Sequence, residues 1–283
     1  MYRPVGLANL GNTCYLNSTI QVLMVCSDFI DTILADTNNK DTDPIRTFIR
    51  HFRKSKGTLL PLQFRQMCAG TQFHSVKQQD AQEFLLFVLS KLEDQGAQIS
   101  RFFDFKIKVK SKAPDGSVSV KKFPERVLCL PVVGESMDKS YQAFVAPEVI
   151  NGVERRYSIC HWPKYLIVTF KQYNEQLQKI EGTINIPLHW CLKNINSKRG
   201  TVTTVSYKVA GAIIHHGSID EGHYFAITHS HNNAYYMCND NVVQRITPEA
   251  FVAHLKSSYI VVFRLSGKQT QPWSGGSMKK NRT

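Results

Sequence analysis

Cys14 is the residue whose type and setting first suggest chemistry. It closes a turn-rich stretch, "GLANLGNTC" (6–14), and opens an apolar segment, "YLNSTIQVLMVC", that predicts a helix to Cys26. Unpaired N–H groups and the positive dipole end at a helix start favour a thiolate, which is the nucleophilic form of cysteine. The same place also suits a small buried apolar residue, so the rest of the chain must supply partners. A cysteine nucleophile needs a base, a group that orients the base, and donors for an oxyanion. Among ten histidines, His223 stands out in "EGHYF", after a glycine-containing loop and at the start of a predicted strand. Farther on, "CNDN" supplies Asn239 and Asp240. A polar turn from His231 to Ala234 would return that pair to the side of His223. There Asn239, or alternatively Asp240, accepts from one imidazole nitrogen and sets the tautomer.

The elements that must hold these groups change texture along the chain. After the Cys14 helix and the polar "DTNNKDTDP", a helix is predicted from Ile45 to about Arg53. Another helix-compatible segment follows Pro61. In "KQQDAQEFLLFVLSKLED" (77–94), Phe84, Phe87, Val88, Leu89 and Leu92 recur at helical spacing, and Gly96 marks the end. From Phe102, "FFDFKIKVKSK" alternates apolar and basic residues, "PDG" (114–116) turns, and "SVSVKKF" returns as a partner strand. "RVLCLPV" is a further strand, and 139–150 a short helix or loop. "KYLIVTFKQY", "GTINIPL", "VSYKVAGAIIHHG", "GHYFAITHS", "AYYMCND" and "YIVVFRL" are the remaining predicted strands. Helices first and strands later is an α+β pattern, not an alternating one. Residues 266–283 are polar, Gly/Ser-rich and basic, and predict a disordered tail.

Composition narrows the class. Hydrophobic residues make up 42% and charged residues 20%, as in an ordinary globular protein with a sizeable core. No run approaches the roughly 18 apolar residues of a membrane span, and the N-terminus lacks the apolar stretch of a secretory signal. The cysteines number seven, none in the paired spacing of a structural zinc site. Free thiols in a reducing compartment follow, so cytosol or nucleus is expected. The formal charge of +13 concentrates in 46–56, in 106–122 and in the last residues. It fits a solvated basic face, or a nucleic acid or an acidic surface as partner, though without the aromatic spacing of a stacking platform.

These stretches carry a family resemblance. "GLANLGNTCYLNSTIQVL" resembles the Cys box of the ubiquitin-specific proteases, and "QQDAQEFLLFVLSKLED" their QQD segment. "PKYLIVTFKQY" is similar to a core strand, and "AIIHHGSIDEGHYFAIT" with "YYMCNDNVVQRIT" to the His box. The motifs occur in the family's order over about residues 4–265. The resemblance implies a papain-like α+β fold shaped as a right hand. It comprises a helical thumb (about 1–100), reduced β fingers (about 101–160), a β palm (about 161–265) and the tail (266–283). It implies Cys14 as nucleophile, His223 as general base, Asn239 as the third triad member, Asp240 as an auxiliary polar residue and Asn9 as side-chain oxyanion donor. It further implies substrate-tail contacts by Asp80, Gln79, Glu83, Gly222 and Tyr224, although a solvated helix charge equally accounts for Glu83. Blocking loops are implied at Gly217 to Gly222 and at about Gln172 to Gly182; His215 matches a recurring family histidine and is read as a packing or hydrogen-bonding residue, not a catalyst.

One departure bears on specificity. Many family members hold zinc with two CxxC pairs in the fingers, whereas 101–160 contains only Cys129 and Cys160. No metal and no cofactor is therefore expected, and strand pairing must hold the fingers. A second departure is "FKQY", where an Arg usually follows the Lys. The implied activity is thiol-dependent hydrolysis of the isopeptide or peptide bond after the Gly-Gly end of ubiquitin. The implied partners are ubiquitin and ubiquitinated proteins, with an adaptor for targeting; a monomer and no membrane are expected. The competing readings are the same chemistry on another ubiquitin-like modifier, a non-catalytic ubiquitin-binding scaffold, and nucleic-acid binding through the basic stretches.

Overall fold

A computed structural model gives the architecture over residues 2–36, 43–171, 183–196, 200–217, 222–230 and 232–272. Six helices come first: α1 (Cys14–Met24), α2 (Ser27–Ala35), α3 (Asp43–Lys54), α4 (Leu62–Met67), α5 (Ala81–Asp94) and α6 (Ile99–Phe103). Every residue of α1 is buried, so it is the central helix and not a surface one. Its apolar side packs on α5, with Tyr15 against Phe73 and Phe84. Asn17 and Gln21, one turn apart, make a polar stripe that would be costly without partners. They find them in the N-terminal segment: Gln21 Nε2 donates to Val5 O at 2.7 Å, and Asn17 Nδ2 to Leu7 O and Ala8 O at 3.3 and 3.2 Å.

That segment is held from two further sides. Leu59 N donates to Gly6 O and Ala8 N to Leu59 O, while Leu7 N donates to Asp240 O. A side chain at Gly6 would collide with the backbone of Asn241, so glycine here is a packing requirement. α5 starts one residue after Asp80, whose Oδ1 accepts from Gln82 N and Glu83 N as an N-cap. It ends with Gly96 at φ +86°, the left-handed stop that the glycine predicts.

The strands form two sheets. β1 (Phe105–Lys112), β2 (Val118–Glu125), β4 (Glu148–Ile150) and β5 (Val153–His161) make an antiparallel sheet of order β2-β1-β5-β4. β3 (Val127–Pro131), β6 (Tyr165–Lys171), β7 (His189–Asn196), β8 (Thr201–Gly217), β9 (Gly222–His229), β10 (Tyr235–Asn239), β11 (Val242–Ile246) and β12 (Ser258–Pro272) make the other. Its order is β11-β10-β9-β8-β12-β6-β3, with β7 also paired to β8. Two more helices, α7 (Met137–Val145) and α8 (Pro248–Leu255), complete the fold. The centre of the large sheet is buried on both faces. Tyr165, Ile167, Ile260 and Val262 join the core that contains α1, while Leu166, Val168, Val261 and Phe263 join a second core around Trp190 and Phe251. Burial on both faces is why "YLIVTF" and "YIVVF" are continuous apolar runs.

Several expectations require correction. The segment 101–160 is divided between the sheets, because β3 pairs in parallel with β6 and so leaves the fingers sheet. The tail does not start at 266: β12 stays paired with β8 as far as Pro272, and 273–283 lie outside the described residues. "GTINIPL" forms no strand over 183–188 beyond one bridge between Asn185 and Ser136; its N–H groups go to loops, Ile184 to Lys256 O and Asn185 to Glu135 O. The helix expected to reach Cys26 ends at Met24, and α2 follows at a bend of 86°. That bent pair is apolar enough to resemble a broken span, but no single described helix is long and apolar enough to cross a membrane. α2, α6, β7, β11 and α8 have no counterpart among the expectations. The start of α8 is legible in retrospect, since Thr247 caps it by accepting from Ala250 N and Pro248 occupies its first turn. Both expected blocking loops, over 218–221 and 172–182, lie outside the described residues, as does position 231 of the β9–β10 turn.

Candidate active site

Cys14 is the first residue of α1 and is buried. The backbone N–H groups of Tyr15 and of Cys14 itself act on its sulfur as donors, as a helix start provides. A third N–H comes from Tyr224 on β9, against which α1 packs. The expected depression of the thiol pKa is nevertheless not found. Burial pushes the Cys14 thiol up and the Asp240 carboxylate adds to that, while the three N–H groups pull the other way. The resting sulfur is therefore weighted toward the thiol.

His223 directly precedes Tyr224 near the start of β9 and is half-buried. Its Nε2 lies 2.7 Å from Asn239 Oδ1, so the amide accepts and leaves the other ring nitrogen for proton transfer. The pairing follows from sheet register. β9 and β10 run antiparallel with Cys238 opposite Ala226, which brings the end of β10 to the start of β9. The glycine before His223 has a definite cause: a side chain at Gly222 would collide with the His215 imidazole. His215 is buried and stacks on Tyr224 with ring centroids 4.4 Å apart, a packing position.

Asp240 follows Asn239 in a two-residue turn between β10 and β11, at φ +48°. Asp tolerates that left-handed conformation better than most residues. Its Oδ2 accepts from Asn9 Nδ2 at 2.9 Å and its Oδ1 from Asn17 Nδ2 at 2.8 Å. Asn9 is exposed, and its own Oδ1 accepts from Gly11 N and Thr13 N, closing the loop that leads into Cys14. Asn17 was not singled out from the sequence. Its sign was there as an amide one turn after Cys14, with Gln21 a further turn on, in a largely apolar helix.

The residues expected to meet substrate divide into two groups. Gln79, Asp80 and Glu83 lie at the start of α5, with Gln79 Nε2 donating to Ser75 Oγ and Glu83 Oε2 accepting from Gln72 Nε2. Asp80 carries a structural duty besides its cap, because Oδ2 accepts from Tyr259 Oη at 2.7 Å. Gly222 and Tyr224 flank His223, and the buried Tyr224 ring is packed between His215 and Tyr259. Tyr259 and Gln78 are the additional residues here. Tyr259 joins the α5 cap to β12, and Gln78 Oε1 accepts from Gly222 N at 3.3 Å, which ties the segment before α5 to the start of the His223 strand.

The fold is of α+β class, and its site sets a helix-start cysteine against the strand that carries His223, held in turn by Asn239. The model of the family described as "Ubiquitin carboxyl-terminal hydrolase" matches residues 5–263, and the chain belongs to that family. It is 24% identical to ubiquitin carboxyl-terminal hydrolase 25 of Arabidopsis thaliana, over 94% of this chain and 48% of that protein. It is 22% identical to ubiquitin carboxyl-terminal hydrolase Usp2 of Drosophila melanogaster, over 91% of this chain and 34% of the other. The chain thus spans about half or less of these relatives' length. The yeast-type SAGA Ubp8/Sgf11/Sus1/Sgf73 DUB module solved with ubiquitin aldehyde superposes with a TM-score of 0.81 at 17% identity. That match covers 94% of this chain and 70% of the other. The same module bound to monoubiquitin gives 0.80 at 18%. The fold is accordingly that of a compact ubiquitin-specific protease domain.

Proposed function

We propose that the chain is a thiol-dependent deubiquitinase that hydrolyses the bond after the C-terminal Gly-Gly of ubiquitin on protein conjugates. The observation that carries this reading is His223 held by Asn239 beside a strand whose next N–H, that of Tyr224, faces the Cys14 sulfur. In the first step His223 takes the Cys14 proton and the sulfur attacks the glycine carbonyl carbon. The C–S bond forms as the C–N bond breaks, and the imidazolium returns a proton to the departing lysine amine. Water, deprotonated by His223, then attacks the thioester carbon, and Cys14 leaves as the thiol. The oxyanion formed in both steps is met by backbone N–H groups at the start of α1 and by the Asn9 amide, which Asp240 orients. A neutral Asn239 aligns the imidazole and leaves the charge balance to the thiolate–imidazolium pair.

Asp80 and Glu83 supply negative potential for the basic tail of ubiquitin, with Gln79, Gly222 and Tyr224 beside its path. Ubiquitinated proteins are the substrates and an adaptor supplies targeting, on the analogy of neighbours solved within a multi-subunit module. Seven free cysteines accord with a reducing compartment, the cytoplasm or nucleus. Ubiquitin bearing an electrophilic C-terminus should label the protein at Cys14, and labelling that persists in Cys14→Ala would overturn the assignment. The second reading, another ubiquitin-like modifier, draws on the fingers sheet, where Cys160 on β5 is in a different sheet from Cys129 on β3. A panel of electrophilic modifier probes separates the two by rate.

A further inference from the structure

The four-stranded sheet has two unlike faces. On one, Ile107, Tyr157 and Ile159 share the side on which Phe144 of α7 lies against Tyr157, with Phe123 beyond them 45% exposed. On the other, Lys106, Lys108, Lys110 and Lys112 form a single row along β1. Across the register Lys122 and Arg156 join that face, and its one acidic side chain among the paired residues, Glu154, is already held by Arg156 at 2.6 Å. Val118 and Val120 on β2 border the lysine row and Val149 on β4 lies beyond Glu154; they are 54%, 56% and 70% exposed. Lys110, Lys112, Val118, Glu154 and Arg156 surround a shallow hollow of about 270 Å³. No described element packs on this face.

We infer that this face docks an extended, acidic polypeptide segment. Like charges in a row are costly to hold without a counter-charge, and six cations against one engaged carboxylate ask for an anionic partner. Alternate residues of a strand repeat at about 6.8 Å, so an extended peptide with acidic residues at every second position matches the lysine row in step. The valines decide between polyanions. A phosphate backbone offers no apolar surface to cover them, and no aromatic side chain stands on this face for a base to stack on. A polypeptide covers them with its backbone and methylene stems.

The test is fluorescence anisotropy with the whole chain and a labelled twelve-residue peptide alternating Glu and Thr. A 20-base-pair DNA duplex is measured in parallel. Saturable peptide binding that weakens with salt is expected, with a loss of about tenfold or more in the Lys108→Glu/Lys110→Glu variant. Val120→Ser should weaken the peptide about threefold and leave any duplex binding unchanged. Circular dichroism and melting establish that the variants are folded, and Lys108→Gln/Lys110→Gln replaces the reversal if it disturbs the sheet. Absence of saturable peptide binding, or binding indifferent to the lysine changes, overturns the inference. Tighter binding of the duplex, insensitive to Val120→Ser, overturns it in favour of a nucleic-acid backbone.

Discussion

Asn17 Nδ2 lies 2.8 Å from Asp240 Oδ1, so the helix that begins at Cys14 is tied directly to the residue that follows Asn239. The same amide reaches Leu7 O and Ala8 O, and Asp240 in turn holds Asn9. One buried side chain therefore couples the nucleophile's helix, the oxyanion segment and the turn after the His223 orienter. A carboxylate that accepts from two amides is a charge-assisted hub, and it is costly to leave half-satisfied.

Replacing Asn17 by Leu, similar in size, leaves those three acceptors short of a donor. Stability should fall by about 2–3 kcal/mol, and turnover should fall more than KM rises. Urea denaturation and fluorogenic ubiquitin hydrolysis read the two effects. A variant as stable and active as the wild type would mean that the hub is dispensable.

Asn239→Ala should cut kcat by about 100-fold, because the imidazole loses the partner that selects its tautomer. Asn239→Asp keeps an acceptor in the same place and should restore most of the rate. Equal losses in both variants would show that the 2.7 Å contact does not orient His223 in turnover.

Asn9→Ala removes the oxyanion donor together with the bonds to Gly11 N, Thr13 N and Asp240, so urea denaturation is measured beside the kinetics. The Asn9 side chain is exposed, and the expected loss is about 100-fold in kcat with KM nearly unchanged. A stopped-flow measurement of acylation with a ubiquitin ester locates the defect, which must appear in acylation as well as in deacylation.

Gly6→Ala should be disruptive despite its distance in sequence from any reacting group. The added methyl meets the Asn241 backbone, which cannot yield as a side-chain end would. A destabilisation of about 2 kcal/mol is expected, with a fall of roughly 4–8 °C in Tm. Slower labelling of Cys14 should accompany it, because the turn carrying Asp240 must shift.

Alkaline stability gives a pH prediction. Burial pushes the Cys68 thiol up to about 11, and its Sγ donates to Phe64 O. The folded state thus retains a proton that the unfolded chain releases near the ordinary thiol value. The contribution is complete below that value and is lost as pH rises through about 11. Cys68→Ala should flatten the decline of Tm between pH 9 and about 11 relative to the wild type. An unchanged slope would show that other buried groups, such as Cys238 at about 12, carry the effect.

Local chemistry explains how much could be read from the chain alone. The helix ending at Gly96, the "PDG" turn between β1 and β2, and the strands "YLIVTF" and "YIVVF" depend on glycine, turn residues and apolar runs. Their cause lies within a few residues. Cys14 and His223 were also legible, one from its place at a helix start and the other from its place at a strand start. The family resemblance added Asn239 and Asn9. The elements missed, such as β7 and β11, pair with their sequence neighbours β8 and β10, but polar residues such as Lys193, Asn194, Gln244 and Arg245 break up their short apolar runs. β12 passed for a tail beyond Leu265 because its polar residues face solvent while its backbone pairs with β8.

Residue types and short-range spacing were enough for the α+β class, the family resemblance, and the residue types that could act on a thioester. Those follow from side-chain chemistry and short-range spacing, which survive without a partner. Tertiary structure alone decided that Asn17 and Asp240 meet, that Gly222 is small to make room for His215, and that Asp80 also anchors Tyr259. It decided too that the Cys14 thiol is pushed up despite its place at a helix start. Each depends on desolvation or on contacts between groups far apart in the chain, and neither quantity exists until the chain has folded.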